Sequence, residues 1–322
     1  MLPKVLITRQ VFPEIVASLA LHAQVDHNES DDILPSDVLR ARAQDATVIM
    51  TTIADRVDAR FFDACPGVKA VCNIAVGYNN IDVAEAHRRG VWVTNTPGVL
   101  DDTTADLTFA LLMAAARRVT ETERRLRSGE WKKAFALQQW LGVDVHHASL
   151  GIIGMGRIGQ TVARRAMGFD MKVRYFNRHR LDETTESRLD ASFASKEAIL
   201  AESDFVVVMV PYSPSTHHLI GAPEIALMKP SAILINTARG GVVDDAALIA
   251  ALRAGRIAGA GLDVFEGEPA LNPGYLALDN VALTPHIGSA TRATRMKMAG
   301  LARDNVIAVL GGQVPPNRIN PD

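Results

Sequence analysis

The sequence predicts an α/β chain of two doubly wound, parallel-sheet domains, one inserted into the other. Three observations lead there. Short continuous apolar runs alternate with helical segments in two series. One long helix, apolar in its first half, separates the series. A last helix follows once the second series is complete, so it is expected to return to the first domain.

In the first series, "KVLIT" (4–8), "ATVIMTT" (46–52), "VKAVCNIAV" (68–76) and "GVWVTNTP" (90–97) are apolar runs bounded by turn residues. Such runs suit strands buried on both faces of a parallel sheet. The intervening "VDARFFDAC" and "NIDVAEAHRRG" carry helical spacing. Residues 101–128 read as one long helix, with Asp102 and Thr103 as N-cap types and a stop at Gly129. Its half from Ala105 to Ala116 is apolar nearly all round and is expected to be buried; the rest is rich in Arg and Glu. The second series supplies six strands: "SLGIIG", "KVRYFN", "DFVVVMV", "AILINT", "GAGLDV" and "NVALTP". Helices are expected between most of them, as at 157–168 and 244–254, and a final helix at 291–312. The boundaries drawn are 1–100 with 289–322 for one domain and 101–288 for the other.

Composition narrows the function. The 322 residues are 48% hydrophobic and 22% charged, with net charge −2, which suits a water-soluble globular protein. Nothing in that balance points to nucleic acid, and no apolar run approaches the ~18 residues of a membrane span. "MLPKVLITRQ" enters a strand pattern without a signal-peptide layout. Cys65 and Cys72 form neither a disulfide framework nor a zinc signature. A cytoplasmic protein with reduced thiols is expected.

Gly154, Gly156 and Gly159 give G-x-G-x-x-G after the run "LGII" and before the helical "RIGQTVARRAMGF". In a Rossmann-like dinucleotide-binding turn the first glycine makes the bend. The second lets backbone approach a pyrophosphate, and the third lets helix and strand pack closely. The helix N-terminus offers free N–H groups to the anion. The strand "KVRYFN" then ends in Asn177, where an acid for the ribose hydroxyls is expected, and Arg178 and Arg180 follow. An acid there would repel a 2′-phosphate by ~4 kcal/mol at an effective dielectric near 20 and about 4 Å. Asn removes that repulsion and the arginines add donors, although loop arginines are often plain surface charge. NADP(H) is expected in preference to NAD(H).

Arg239, Glu268 and His286 each lie just past an apolar run, where this architecture binds ligands. Reducing a 2-keto acid requires a fixed cation for carboxylate and carbonyl, a proton donor, and a carboxylate to orient that donor. Arg, His and Glu fit these needs in turn. His22, His27, His87 and His179 read as ordinary packed or surface residues. The adjacent pairs His146–His147 and His217–His218 would face opposite ways on a strand, so no metal site is expected.

The motifs "VGYNNID", "NTPGVLDDTTAD", "GIIGMGRIG", "INTARGGVVDDAAL", "GLDVFEGEP" and "PHIGSAT" together resemble the D-isomer-specific 2-hydroxyacid dehydrogenases over nearly the whole chain. "SGEW", "DVHH" and the Asn-Arg strand end are similar to the glyoxylate/hydroxypyruvate reductase branch, which includes 2-ketogluconate reductases. The resemblance implies a flavodoxin-like substrate domain built from both chain ends, an inserted dinucleotide-binding domain, and a homodimer formed through cofactor-domain elements. It implies Arg239 as substrate-binding, Glu268 as partner of the histidine and His286 as proton donor. Backbone N–H groups of Val76 and Gly77 match the substrate-carboxylate loop. Arg157 and Ile158 match the pyrophosphate loop. Thr104, Thr237, Asp263, His286 and Gly288 match cofactor contacts, with Asp263 at the carboxamide. Trp140 matches an aromatic that reaches a neighbouring subunit's site in some relatives. Glu268 stands where formate-oxidising relatives carry Gln, which disfavours formate. The expected activity is NADPH-dependent reduction of glyoxylate or hydroxypyruvate, or of 2-ketogluconate, to the D-2-hydroxy acid. A dinucleotide-sensing corepressor of the same fold, or a relative acting on another acid, are the competing readings.

Overall fold

The computed structural model describes residues 2–320. Two compact units divide it: residues 1–100 with 290–322, and residues 101–289.

The first unit carries β1 (Lys4–Ile7), β2 (Gln24–His27), β3 (Val48–Thr51), β4 (Ala70–Asn73) and β5 (Trp92–Thr94). All pairs are parallel and the order is β2-β1-β3-β4-β5, the flavodoxin-like winding. Helices α1 (Pro13–Ala20), α2 (Ser36–Ala43), α3 (Ala59–Ala64) and α4 (Val83–Arg88) connect them. β3 and β4 are buried on both faces, as their unbroken apolar runs require. β2 is not among the strands the sequence predicts. Its "QVDH" is solvated because it lies at the sheet edge and pairs on one side only.

In the second unit α5 (Asp101–Ala116) and α6 (Val119–Arg127) precede the sheet. The single long helix expected over 101–128 is therefore broken. Arg118 is left-handed at φ +53°, and the carbonyl of Ala116 accepts from Val143 N at 2.9 Å instead of continuing the helical ladder. A Cβ on Gly142 would lie 2.4 Å from that same carbonyl, so the 142–143 segment needs glycine to seat against the helix end. The helix also starts at Asp101, which puts Asp102 and Thr103 inside its first turn rather than at the cap. Within Ala105–Ala116 only Asp106 and Ala110 are exposed.

The seven strands are β6 (Ser149–Ile153), β7 (Lys172–Phe176), β8 (Ala191–Phe193), β9 (Phe205–Val208), β10 (Ile233–Asn236), β11 (Gly259–Leu262) and β12 (Val281–Leu283). All are parallel, in the order β12-β11-β10-β9-β6-β7-β8. Six are expected from the sequence; β8 is the addition, a three-residue edge strand whose side chains are largely exposed. Helices α7 (Arg157–Ala166), α8 (Glu183–Leu189), α9 (Lys196–Glu202), α10 (Ala222–Leu227) and α11 (Asp245–Arg253) cover the sheet. Strand order reverses between β6 and β9, and the crevice at such a reversal binds ligands in open α/β sheets.

The last helix, α12 (Arg292–Leu310), belongs to the first unit and packs on β3, β4 and α1. It buries Met298, Ala299, Ala302, Val306 and Val309. No helix among the described residues is long and apolar enough to cross a membrane.

Candidate active site

The glycine loop sits between β6 and α7. Gly154 has φ +106°, and a Cβ there would press on the backbone of Met209 at 2.5 Å. A Cβ on Gly159 would meet Gly154 O at 2.3 Å. Both glycines are dictated by the chain's own packing. Gly156 differs: its φ is −77° and a Cβ would meet nothing within 4 Å. Nothing in the protein requires glycine there, whereas a ligand's backbone approach does. Gly156 is also the N-cap of α7 and supplies no side-chain cap, so the first N–H groups, those of Arg157 and Ile158 among them, are left without a side-chain acceptor, as an anion-binding helix start requires. The residues present fit a dinucleotide.

Asn177 closes this loop from the neighbouring strand. Its Oδ1 accepts from Met155 N at 2.7 Å. Arg178 is exposed and has no ion-pair partner among the described residues. Arg180 stands differently from the free donor expected. Its Nε and Nη2 lie 2.9 and 2.7 Å from the Glu186 carboxylate, which Tyr175 also bonds at 2.6 Å. Hydrogen bonds from Arg180 and then Tyr175 hold the Glu186 carboxyl below its ordinary range.

At the carboxyl ends of β10, β11 and β12 three loops meet. Asn236, the last residue of β10, donates from Nδ2 to Arg239 O at 3.1 Å and accepts from Ala238 N at 3.1 Å. It thereby fixes the turn that carries Arg239. A Cβ on Gly240 would lie 1.8 Å from Phe265 O, so this turn is seated against the loop that carries Glu268. Arg239 is half-buried. Burial pushes its guanidinium down and the nearby Glu268 charge opposes that; an arginine remains charged throughout.

His286 Nδ1 lies 2.6 Å from Glu268 Oε2, with side chains 28% and 29% exposed. The pair is mostly covered yet open to a small molecule. Glu268 Oε1 accepts from Phe265 N at 2.8 Å. Burial alone would raise this carboxyl, but the His286 hydrogen bond and charge, Phe265 N–H and Arg239 outweigh it and hold Glu268 low. The His286 backbone is left-handed at φ +52°, uncommon for a non-glycine residue. Its N–H donates to Asp263 O at 2.8 Å and to Thr284 O at 3.1 Å, which holds the turn.

Asp263 organises that turn. Its Oδ1 accepts from Thr284 Oγ1 at 2.7 Å and Ile287 N at 2.8 Å, and its Oδ2 from Gly288 N at 2.8 Å. Burial raises its pKa against these donors. Three of roughly four acceptor positions are then used. A Cβ on Gly288 would lie 3.2 Å from Asp263 Oδ2 and 3.5 Å from Thr104 Cγ2, so Thr104, Asp263 and Gly288 adjoin. Thr237 Oγ1 is 2.7 Å from Thr108 Oγ1, which also bonds Thr104 O at 2.8 Å. Asn236, Thr108 and Thr284 escape the sequence reading; the one signal is their position beside expected site residues.

Val76 and Gly77 belong to the first unit. Asn95 and Asn73 donate to their carbonyls, each at 2.9 Å. Neither N–H has a hydrogen bond among the described residues. Trp140 is half-buried in the loop after α6, at φ +55°. The adjacent histidines are not on strands, contrary to the premise that set them aside. His146 and His147 lie in a turn, with rings edge to face. His217 and His218 also lie in a turn, and their rings stack at 3.9 Å.

The family model for the NAD-binding domain of D-isomer specific 2-hydroxyacid dehydrogenases matches residues 109–288. The glyoxylate reductase of Thermococcus onnurineus is 48% identical over 99% of this chain and 96% of its own length. A Thermus thermophilus protein of solved structure is 43% identical, with TM-score 0.90, over 98% of this chain and 99% of its own. An NADPH-dependent glyoxylate/hydroxypyruvate reductase from Sinorhizobium meliloti, solved with NADP and malonate, is 32% identical, with TM-score 0.88, over 99% and 97% of the two chains.

Proposed function

The chain belongs to the D-isomer-specific 2-hydroxyacid dehydrogenases, in the glyoxylate reductase branch, and from that premise we propose NADPH-dependent reduction of glyoxylate and hydroxypyruvate to the D-2-hydroxy acid. The relatives support an NAD(P)-dependent oxidoreductase acting on glyoxylate-type 2-keto acids. The observation that carries the mechanism is the His286–Glu268 pair at 2.6 Å.

When bound, the reduced nicotinamide supplies the hydride. Arg239 holds the substrate carboxylate and polarises the keto oxygen through its fixed charge. His286 donates the proton to that oxygen from Nε2, since Glu268 engages Nδ1. Glu268, held low by its partners, stays ionised and orients the ring. In the first unit, Val76 and Gly77 offer N–H groups suited to a carboxylate. Thr104, Thr237, Asp263 and Gly288 would hold the nicotinamide end; Gly154, Gly156, Arg157, Ile158 and Gly159 would hold the pyrophosphate. Residues 1–100 and 289–322 serve the substrate, and 101–288 the cofactor.

The NADPH preference rests on an uncharged Asn177 beside an unpaired Arg178. A homodimer is part of the proposal. Leu126, Trp131, Phe135, Leu137 and Leu141 are all more than half exposed on one segment of the second unit, which suits burial by a second copy; Trp140 lies in the same segment. 2-Ketogluconate is the larger candidate substrate. A steady-state screen of glyoxylate, hydroxypyruvate, 2-ketogluconate and pyruvate with NADPH and NADH tests the reading. Turnover confined to NADH, or binding of cofactor without turnover of any of these acids, would contradict it.

A further inference from the structure

We propose that His217, His218 and Glu266 form a binding site for a zinc-class divalent cation, outside the Arg239–Glu268–His286 set. Their ligand atoms all lie within 4.8 Å of one another. The turn after β9 presents both rings to the loop after β11, with His218 in the left-handed region at φ +49° and its N–H donating to Gly241 O at 2.8 Å. His218 Nε2 and Glu266 Oε2 are 3.3 Å apart. A tetrahedral zinc with bonds of about 2.0–2.2 Å separates neighbouring ligands by about 3.3–3.5 Å. That edge of the polyhedron is therefore already set; the exposed His217 ring, stacked on His218 with planes 24° apart, must rotate off that stack to point a nitrogen at the ion.

Candidate outer partners lie close by. Metal-bound imidazoles hold the second nitrogen with a carboxylate or another polar group, which fixes tautomer and orientation. His218 Nδ1 faces Asp244 Oδ2 at 3.8 Å. His217 Nδ1 is 3.3 Å from the Tyr212 hydroxyl, leaving its Nε2 for a ligand bond. Glu266 is fixed from behind, its N–H bonding Asp245 Oδ2 at 3.1 Å while Tyr275 bonds Asp245 Oδ1 at 2.9 Å. Among the described residues Glu266 has no lysine or arginine partner. Two imidazoles and one carboxylate favour zinc over magnesium or calcium, which take oxygen ligands. Three protein ligands at an open surface leave the fourth position to water.

The test is calorimetric titration of the full-length, tag-free, metal-stripped protein with Zn²⁺, with Co²⁺ absorption reporting tetrahedral geometry. We expect one saturable equivalent per chain, weakened at least tenfold in His218→Ala and in Glu266→Gln. Asp244 caps α11 by accepting from Ala247 N at 3.0 Å, and Asn caps as well as Asp. Asp244→Asn therefore keeps the helix and should weaken Zn²⁺ about 10- to 100-fold. His146→Ala/His147→Ala should bind as wild type does. Absence of a saturable Zn²⁺ equivalent overturns the proposal, as does unchanged affinity in both His218→Ala and Glu266→Gln. Loss of binding in Glu268→Gln with Glu266→Gln unaffected would place the ion at the His286 pair instead and equally overturn it.

Discussion

His286 Nδ1 faces Glu268 Oε2 at 2.6 Å, which leaves Nε2 as the ring nitrogen able to hand a proton to a substrate. Glu268, held ionised by its partners, fixes the ring's orientation through that bond, so removing its charge should cost turnover. In Glu268→Gln kcat should drop, with cofactor affinity near wild type. His286→Ala should lose about a hundredfold to ten-thousandfold, the range for a general acid. An unchanged kcat in Glu268→Gln would separate the pair from the chemistry.

The proposed preference for NADPH turns on charge at one position. Asn177 Oδ1 accepts from Met155 N, and an aspartate can accept the same bond. Asn177→Asp therefore changes charge while keeping the loop's geometry. Together with Arg178→Ala it should raise the NADH-to-NADPH ratio of kcat/KM by about tenfold or more, since about 1.4 kcal/mol is already a factor of ten. Arg180 is committed to Glu186, so Arg180→Ala should move that ratio less than Arg178→Ala does. The reverse ranking would show that Arg180 leaves Glu186 to hold the phosphate.

Asn236 fixes the turn that carries Arg239. It bonds both the carbonyl of Arg239 and the N–H of Ala238, and it is 2% exposed. Removing the amide frees the turn, and a misplacement of about 1 Å can cost roughly a hundredfold in rate. Asn236→Ala should reduce kcat/KM by about 10- to 100-fold and raise KM, with NADPH affinity near wild type. A matched loss of cofactor affinity would point to collapse of the unit rather than to Arg239.

Strands such as β3, β4, β9 and β10 can be read directly because burial on both faces writes an unbroken apolar run. β2 and β8 cannot, because an edge strand pairs on one side and keeps polar side chains. The break at Arg118 depends on Val143 taking the Ala116 carbonyl, a contact between distant residues that no local pattern encodes. The same holds inside the site. Arg239, Glu268 and His286 follow apolar runs and are visible by position, whereas the Arg180–Glu186 pairing and the stacking of His217 on His218 arise from turn geometry. The alternation rule for adjacent histidines applies on a strand, and these two lie in a turn.

Glu121 braces the broken helix and gives a stability prediction with a definite sign. It is 2% exposed, with Oε2 2.7 Å from Arg118 Nε and Oε1 3.0 Å from Arg125 Nε. Burial alone would raise its carboxyl, but the hydrogen bonds and charges of both arginines prevail and lower it below the ordinary 4.5. A depressed folded pKa means the stabilisation is complete above the ordinary carboxylate range and is lost as pH falls through the folded value. Glu121→Gln should therefore cost about 1–3 kcal/mol at pH 7, the scale of a broken buried pair with half-exposed partners. The gap in Tm between wild type and variant should narrow on acidification below about pH 4.5, where wild type loses the same charge. Thermal melts at pH 7, 5 and 3.5 measure this. A Tm gap that stays constant to pH 3.5 would mean that Glu121 acts through packing alone.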